Sequence, residues 1–281
     1  MFAAACLVAG KPHVTAQSCP ASHPDDKQPS GHNISIVEVS LSGALQLAAS
    51  DQEQITASIK QQTDGDSLDD ATDEALERVR AGWRNYGYLK VQVRGDARTL
   101  TSSPVSERIA VSVHIDEGSQ YSLGAITFKH NKAISNAEVL RALFPIKDGD
   151  IFSREKIATG LDNLSKAYGE IGYINFTSVP DAKFDDDKKL IRLAIDVDEG
   201  KLFYVSSVNV EGLDELSRQE LLRDLPVKPR QIYNSRLWEL SLLKYAAMFP
   251  PCECRYSQPL RLDESAGTVE VTLDFRPCPI D

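Results

Sequence analysis

The stretch Leu190-Ile191-Arg192-Leu193-Ala194-Ile195-Asp196-Val197-Asp198-Glu199-Gly200 decides the fold. Ile191, Leu193, Ile195 and Val197 alternate with Arg192, Ala194 and Asp196, the period of two that marks a half-buried strand, and Asp198-Glu199-Gly200 stops it with a turn. Moving back 82 positions, Ile109, Val111, Val113 and Ile115 alternate with Ala110, Ser112 and His114 and end in Asp116-Glu117-Gly118. Moving forward 78 positions, Val269, Val271, Leu273 and Phe275 alternate with Glu270, Thr272 and Asp274. A strand that recurs in this way indicates a tandem array of three units.

A period near 80 residues divides the 281-residue chain into three small domains, each with a modest core. The net charge is −10, from 41 acidic and 31 basic residues, and no run of Lys and Arg is interleaved with aromatics. That balance argues against nucleic acid as a partner and reads as a solvated surface.

Residues 1–16 read as a signal peptide: an apolar run from Phe2 to Gly10, then the small-x-small site Val14-Thr15-Ala16 before Gln17. No basic residue precedes the run and Lys11 interrupts it, which a start codon assigned too far downstream would explain. Cys6 lacks the apolar residue that usually stands three positions before a lipidated cysteine. The run is too short to span a bilayer, and no other stretch approaches that length, so no transmembrane segment is expected. Residues 17–33 are Ser-, Pro-, Asp-, His- and Gln-rich, a flexible lead-in. His13, His23 and His32 fall in or near it and read as solvent-exposed, not as metal ligands.

Cleavage after Ala16 leaves four cysteines, Cys19, Cys252, Cys254 and Cys278, and an exported chain permits disulfides. If the last unit ends in an antiparallel hairpin, Cys252 opens its first strand and Cys278 follows its second, which predicts a disulfide between Cys252 and Cys278. A thiolate metal site on Cys252, Cys254 and Cys278 is the alternative, short of a fourth ligand.

Each unit repeats one order. Unit one has a strand from Ile34 to Leu41 of uncertain phase, a helix after Ser50 with Ile55 and Ile59, and the turn Asp64-Gly65-Asp66. A second helix capped by Asp69 carries Thr72, Leu76, Val79 and Trp83 on one face and stops at Gly87. Leu89 to Arg94 reads as the second strand, a Thr-, Ser- and Pro-rich loop follows, and Arg108 to Ile115 is the third strand. In unit two the first strand is Tyr121 to His130, Ser135-Asn136-Ala137-Glu138 is a capping box, and Asp148-Gly149-Asp150 repeats the turn. Ser153 then caps a helix bearing Ile157, Leu161, Leu164 and Tyr168, which leads to Gly172-Tyr173 and a second strand from Ile174 to Val179. Unit three has a strand from Phe203 to Val210, a capping box Ser217-Arg218-Gln219-Glu220, and a helix capped by Asn234 with Trp238, Leu242, Tyr245 and Phe249. Phe249-Pro250-Pro251 replaces the Gly-Tyr exit, and Cys252 to Ser257 begins the second strand. The aromatic at the fourth helical position reads as a core plug in every unit.

This βααββ order resembles the POTRA (polypeptide-transport-associated) domain, the periplasmic repeat of BamA-type outer-membrane protein assembly factors. The residues that carry the resemblance are the Asp-Gly-Asp turns, Gly87-Tyr88 and Gly172-Tyr173, and the Asp-Glu-Gly ends of units one and two. The third unit lacks both the Gly-Tyr pair and the Asp-Glu-Gly end, and no barrel-forming strands follow it. The resemblance implies an α+β chain of three tandem domains, residues 34–118, 119–200 and 201–281. Each would be a three-stranded mixed sheet with two helices on one face and its second strand at an edge.

An edge strand presents unpaired N–H and C=O groups that can accept an extended peptide by β-augmentation. The candidate binding residues are Leu89, Lys90, Val91, Gln92 and Val93, together with Ile174, Asn175, Phe176, Thr177, Ser178 and Val179, the second set favoured for its few charges. The alternative is that these edges are solvated or covered by the neighbouring unit. The expected role is a non-catalytic, periplasmic module of outer-membrane protein assembly or transport, whose partners are unfolded client polypeptides or an outer-membrane β-barrel protein. An envelope scaffold linking folded partners is the other class. No phosphate loop, nucleophile elbow or His-Glu-x-x-His helix points to an enzyme, and no cofactor is called for. Asp69-Asp70 and Asp185-Asp186-Asp187 read as a helix start and a hairpin loop.

Overall fold

The computed structural model describes residues 33–61, 67–104, 106–250 and 260–277. The expected signal peptide and nearly all of the lead-in, the turn Asp64-Gly65-Asp66 and all five cysteines lie outside them.

Three sheets follow one another. Unit one runs β1 (Asn33–Ser42), α1 (Ala49–Gln61), α2 (Leu68–Asn85), β2 (Gln92–Ser102) and β3 (Ser106–Asp116). Unit two runs β4 (Ser122–Lys129), α3 (Ala137–Ala142), α4 (Arg154–Glu170), β5 (Thr177–Asp185) and β6 (Leu190–Asp198). Unit three runs β7 (Tyr204–Glu211), α5 (Glu215–Asp224), α6 (Ser235–Lys244), β8 (Leu260–Asp263) and β9 (Thr268–Asp274), with a 3₁₀ turn at Ala246–Met248 after α6. The sheet orders are β1-β3-β2, β4-β6-β5 and β7-β9-β8, so the alternating strand of each unit is central. It pairs parallel with the first strand and antiparallel with the second. The α+β architecture of three mixed sheets is as the sequence implies.

The uncertain phase of β1 has a cause. Its register slips between Ile36 and Glu38, and the same slip recurs between Leu123 and Ala125 and between Val205 and Ser207. One extra residue lets Ile34 and Ile36 point into the core before the bulge and Val39 and Leu41 after it, a pattern that strict alternation conceals.

The expected helix stripes are buried only in part. Helix α2 buries Ala71 and Ala75 in place of Thr72 and Leu76. Helix α6 ends at Lys244, so Tyr245 and Phe249, expected on it, lie beyond it and with Leu242 are half-buried. Ala75, Gly160 and Ser241 occupy equivalent buried positions, and Leu76 and Leu161, expected in the core, flank it half-buried. The position is small because the packing is close: a Cβ on Gly160 would lie 2.0 Å from the Phe144 ring. Ser153 and Asn234 cap α4 and α6 as expected, accepting from Lys156 N and Leu237 N. Three caps move. Ser67 caps α2 by accepting from Asp70 N, which leaves Asp69 in the first turn, where the positive helix end favours it. Asn136 accepts from Glu138 N in place of Ser135, and Asp214 takes two backbone N–H groups three residues before Ser217.

The second strands of units one and two start later and run longer than expected. The expected start of that of unit three, Cys252 to Ser257, lies outside the described residues, and the four-residue β8 follows it. In unit one the Thr- and Ser-rich stretch continues β2 as far as Ser102, and Ser103 N donates to the carbonyl of Ser106, the first residue of β3, at 2.9 Å. An edge strand needs only its backbone pairing, so exposed polar side chains suffice to extend it.

Candidate interface strands and the joints between units

The Glu of Asp-Glu-Gly, expected simply to mark a boundary, is a hydrogen-bond acceptor within its own unit, buried in unit one and half-buried in unit two. Glu117 is 3% exposed and accepts Trp83 Nε1 at 2.8 Å, Gln46 N at 2.7 Å and Leu47 N at 3.2 Å. It ties the end of β3 to the entry of α1 and to the aromatic of α2. Glu199 repeats this, accepting Ala133 N at 2.7 Å and Tyr168 Oη at 3.1 Å. Burial and this carboxylate push the Tyr168 phenol well above its ordinary pKa. Unit three has no such Glu, and its aromatic, Phe249, has no polar group to donate; the ring stacks on Phe275 with centroids 4.8 Å apart. Donor and acceptor are kept or lost together.

The Gly-Tyr exits build the joints. Tyr88 and Tyr173 turn back into their own cores, each N–H donating to the carbonyl of Trp83 or Tyr168. The glycine carbonyl accepts from the first aromatic of the next unit: Tyr121 N to Gly87 O and Phe203 N to Gly172 O, both 2.9 Å. Leu89 then packs against the core of unit two, and Ile174 against that of unit three. Lys90 Nζ reaches Asp186 Oδ1 at 2.6 Å, and Asn175 Nδ2 reaches Glu264 Oε1 at 3.1 Å. Lys90 also lies over the rings of Phe184 and Tyr121, 5.2 and 5.5 Å from their centroids, while the Tyr121 hydroxyl donates to Asp186. The hydrogen bonds from Lys90 and Tyr121 hold the Asp186 carboxyl below its ordinary pKa, and the bond to Asp186 raises that of Lys90.

These joints correct the placement of the candidate binding residues. Leu89, Lys90 and Val91 precede β2, and Ile174, Asn175 and Phe176 precede β5. Val91 is buried, and Phe176 stacks on Tyr168 with centroids 4.3 Å apart. The segments read as strand are apolar because they fill two cores and a joint. Gln92 and Val93 lie on β2, and Thr177, Ser178 and Val179 on β5.

Among the described residues the edges are unequal. The first residues of β4 and β7 are closed by their own chain: Leu123 N donates to Asp150 O at 2.8 Å and Val205 N to Gln231 O at 2.8 Å. β5 carries Pro180 opposite Ile195, so its edge lacks one donor, and Pro is tolerated in sheets mainly at such edges. β2 contains no proline from Gln92 to Ser102 and pairs with β3 alone. Arg80 Nη2 covers its start by donating to Val93 O at 3.2 Å. The register of β2 slips once, between Thr99 and Thr101, but the longest proline-free edge of a second strand still belongs to unit one, where the sequence favoured unit two.

The expected disulfide between Cys252 and Cys278, and the alternative thiolate site, lie outside the described residues. Among those residues no group of three or more His, Cys, Asp and Glu could hold a metal ion, and no helix is long and apolar enough to cross a membrane.

Comparison with known proteins agrees with this geometry. Residues 121–200 match the POTRA family model, described as a surface antigen variable number repeat. Outer membrane protein assembly factor BamA of Neisseria meningitidis is 25% identical over 171 residues, 57% of this chain and 21% of that protein. BamA of Buchnera aphidicola is 22% identical over 165 residues, 59% of this chain and 26% of that protein. The chain thus spans only about a quarter of the length of these curated relatives. The crystal structure of Haemophilus influenzae BamA POTRA3-5 shares the fold, with a TM-score of 0.58 and 21% identity over 87% of this chain and 96% of that one. Unit two matches the POTRA family model and its neighbours repeat its fold, so the chain is similar to the tandem POTRA repeats of BamA-type assembly factors.

Proposed function

We propose that the chain is a non-catalytic periplasmic module in the assembly or transport of outer-membrane proteins, and that it binds client strands by β-augmentation. The observation that carries the reading is the edge of β2, Gln92–Ser102, which has one neighbour and no proline. Backbone hydrogen bonds along it serve clients of varied sequence, because every residue but proline offers the same donor and acceptor. β5, interrupted at Pro180, is a weaker second edge in which Thr177, Ser178 and Val179 contribute. An outer-membrane β-barrel protein is the expected folded partner; the name that the relatives carry, outer membrane protein assembly factor BamA, supports a role in outer-membrane protein assembly.

Site-specific photo-crosslinking tests this. A crosslinker replaces Arg98 on β2 or Asp181 on β5 in the full chain, and the probe is a urea-unfolded outer-membrane β-barrel protein diluted into buffer. Adducts at position 98 that exceed those at 181 are expected. Absence of adducts at both positions would overturn client binding and favour the scaffold role.

A further inference from the structure

The outer face of α6 differs from those of the other second helices. Leu237, Leu240 and Leu243 are 38%, 50% and 72% exposed, and Met248 beyond them is 49% exposed. Aligned on the caps Asn234 and Ser153, the three leucines stand where α4 has Lys156, Thr159 and Asp162, all solvated. Aligned on the equivalent buried positions Ala75 and Gly160, α2 carries Ala71, which is buried, then Glu74 and Glu77 there. The scaffold therefore does not require large apolar residues there, and unit three alone supplies them. Spaced three apart, the leucines form one stripe about a third of the way around the helix.

Arg236 and Lys244 flank the stripe at its two ends. Arg236 lies 3.6 Å from Glu170, while Lys244 pairs with Asp224 and lies 5.4 Å from the centroid of the Tyr245 ring. Exposed pairs of this kind are weak and exchange readily for a better-placed partner. Three leucines make a patch smaller than the roughly 800 Å² that each partner of a stable dimer buries. A second copy is also disfavoured by charge, because antiparallel pairing centred on Leu240 sets cation against cation.

We propose that α6 docks an amphipathic helix of a partner protein, with apolar residues on Leu237, Leu240 and Leu243 and flanking carboxylates on Arg236 and Lys244. The probes are two synthetic helical peptides with leucines at i, i+3, i+7 and i+10, one flanked by Glu and the other by Lys. Binding to the full chain is followed by fluorescence anisotropy. The Glu-flanked peptide should bind the native chain and lose about tenfold or more in affinity for L237K/L240T/L243D, which carries the residues of unit two. The Lys-flanked peptide should bind more weakly than the Glu-flanked one. Thermal melts check that the variant folds, and Leu243→Asp alone serves if it does not. Equal binding by native and variant chains, or failure of both peptides to bind, overturns the proposal. So does a stripe-dependent dimer in sedimentation, or stripe-dependent flotation with vesicles of phosphatidylethanolamine and phosphatidylglycerol.

Discussion

Glu117 accepts the indole N–H of Trp83 at 2.8 Å although 34 residues separate them, and both side chains are buried. The carboxylate takes two backbone donors as well, so its removal leaves three N–H groups without their acceptor. Glu117→Ala should destabilise unit one by about 3 kcal/mol or more, as expected for the loss of several charge-assisted hydrogen bonds. Trp83→Phe keeps most of the ring and loses one donor, and should cost about 1–2 kcal/mol. Urea unfolding followed by circular dichroism measures both, and equal losses would contradict this ordering.

The joint between units one and two is charged. Asp186 titrates below its ordinary value, so what it contributes is complete above about pH 4 and disappears as the pH falls through the lower folded value. Lys90 titrates above its ordinary value, so its share is complete below about pH 10 and disappears as the pH rises through the higher folded value. Lys90→Ala, acid or high salt should each broaden the distance distribution between spin labels in units one and two. The second joint holds Asn175 on Glu264 and Asn234 Nδ2 on Glu170 O, with an ion pair from Arg236 to Glu170 that is looser at 3.6 Å than Lys90 on Asp186 at 2.6 Å, and should respond less to salt.

Gly87 has φ of 82°, and a Cβ there would meet the Tyr121 carbonyl oxygen at 2.6 Å. Gly118 has φ of 66° with no atom near its missing Cβ. Gly118→Ala should therefore carry only the conformational cost, about 1 kcal/mol, whereas Gly87→Ala adds a clash within the joint and should cost about 1–3 kcal/mol. Calorimetric melts of the two variants compare them directly. A smaller loss at position 87 than at position 118 would contradict the role of Gly87 in the joint.

Pro180 limits β5. Pro180→Ala restores one donor to the edge and should raise capture of an unfolded barrel protein at position 181 toward the level seen at position 98. Unchanged crosslinking in this variant would mean that β5 does not augment.

The alternation of Ile191, Leu193, Ile195 and Val197 exposed the repeat because a central strand with one buried face follows period two without interruption. The helix stripes were legible for the same reason, at their own period. The bulge at Val37 was not, since nothing in the side chains of Ile36-Val37-Glu38 marks a doubled residue. Leu89 and Ile174 misled for a different reason. An apolar residue beside a Gly-Tyr pair looks like strand core, and only the neighbouring unit reveals what it packs against. Glu117 lay in plain view, yet an acidic turn residue reads as solvated until its three donors are found.

Because Gly87 follows the last turn of α2 and its carbonyl also accepts the Tyr121 N–H at the entry to β4, fraying of that helix end and of the start of unit two is coupled. Unfolding should then propagate between neighbours as in a one-dimensional lattice, with the denaturant sensitivity of the array exceeding that of any unit cut out alone. The repeat boundary is where cooperativity passes from one unit to the next.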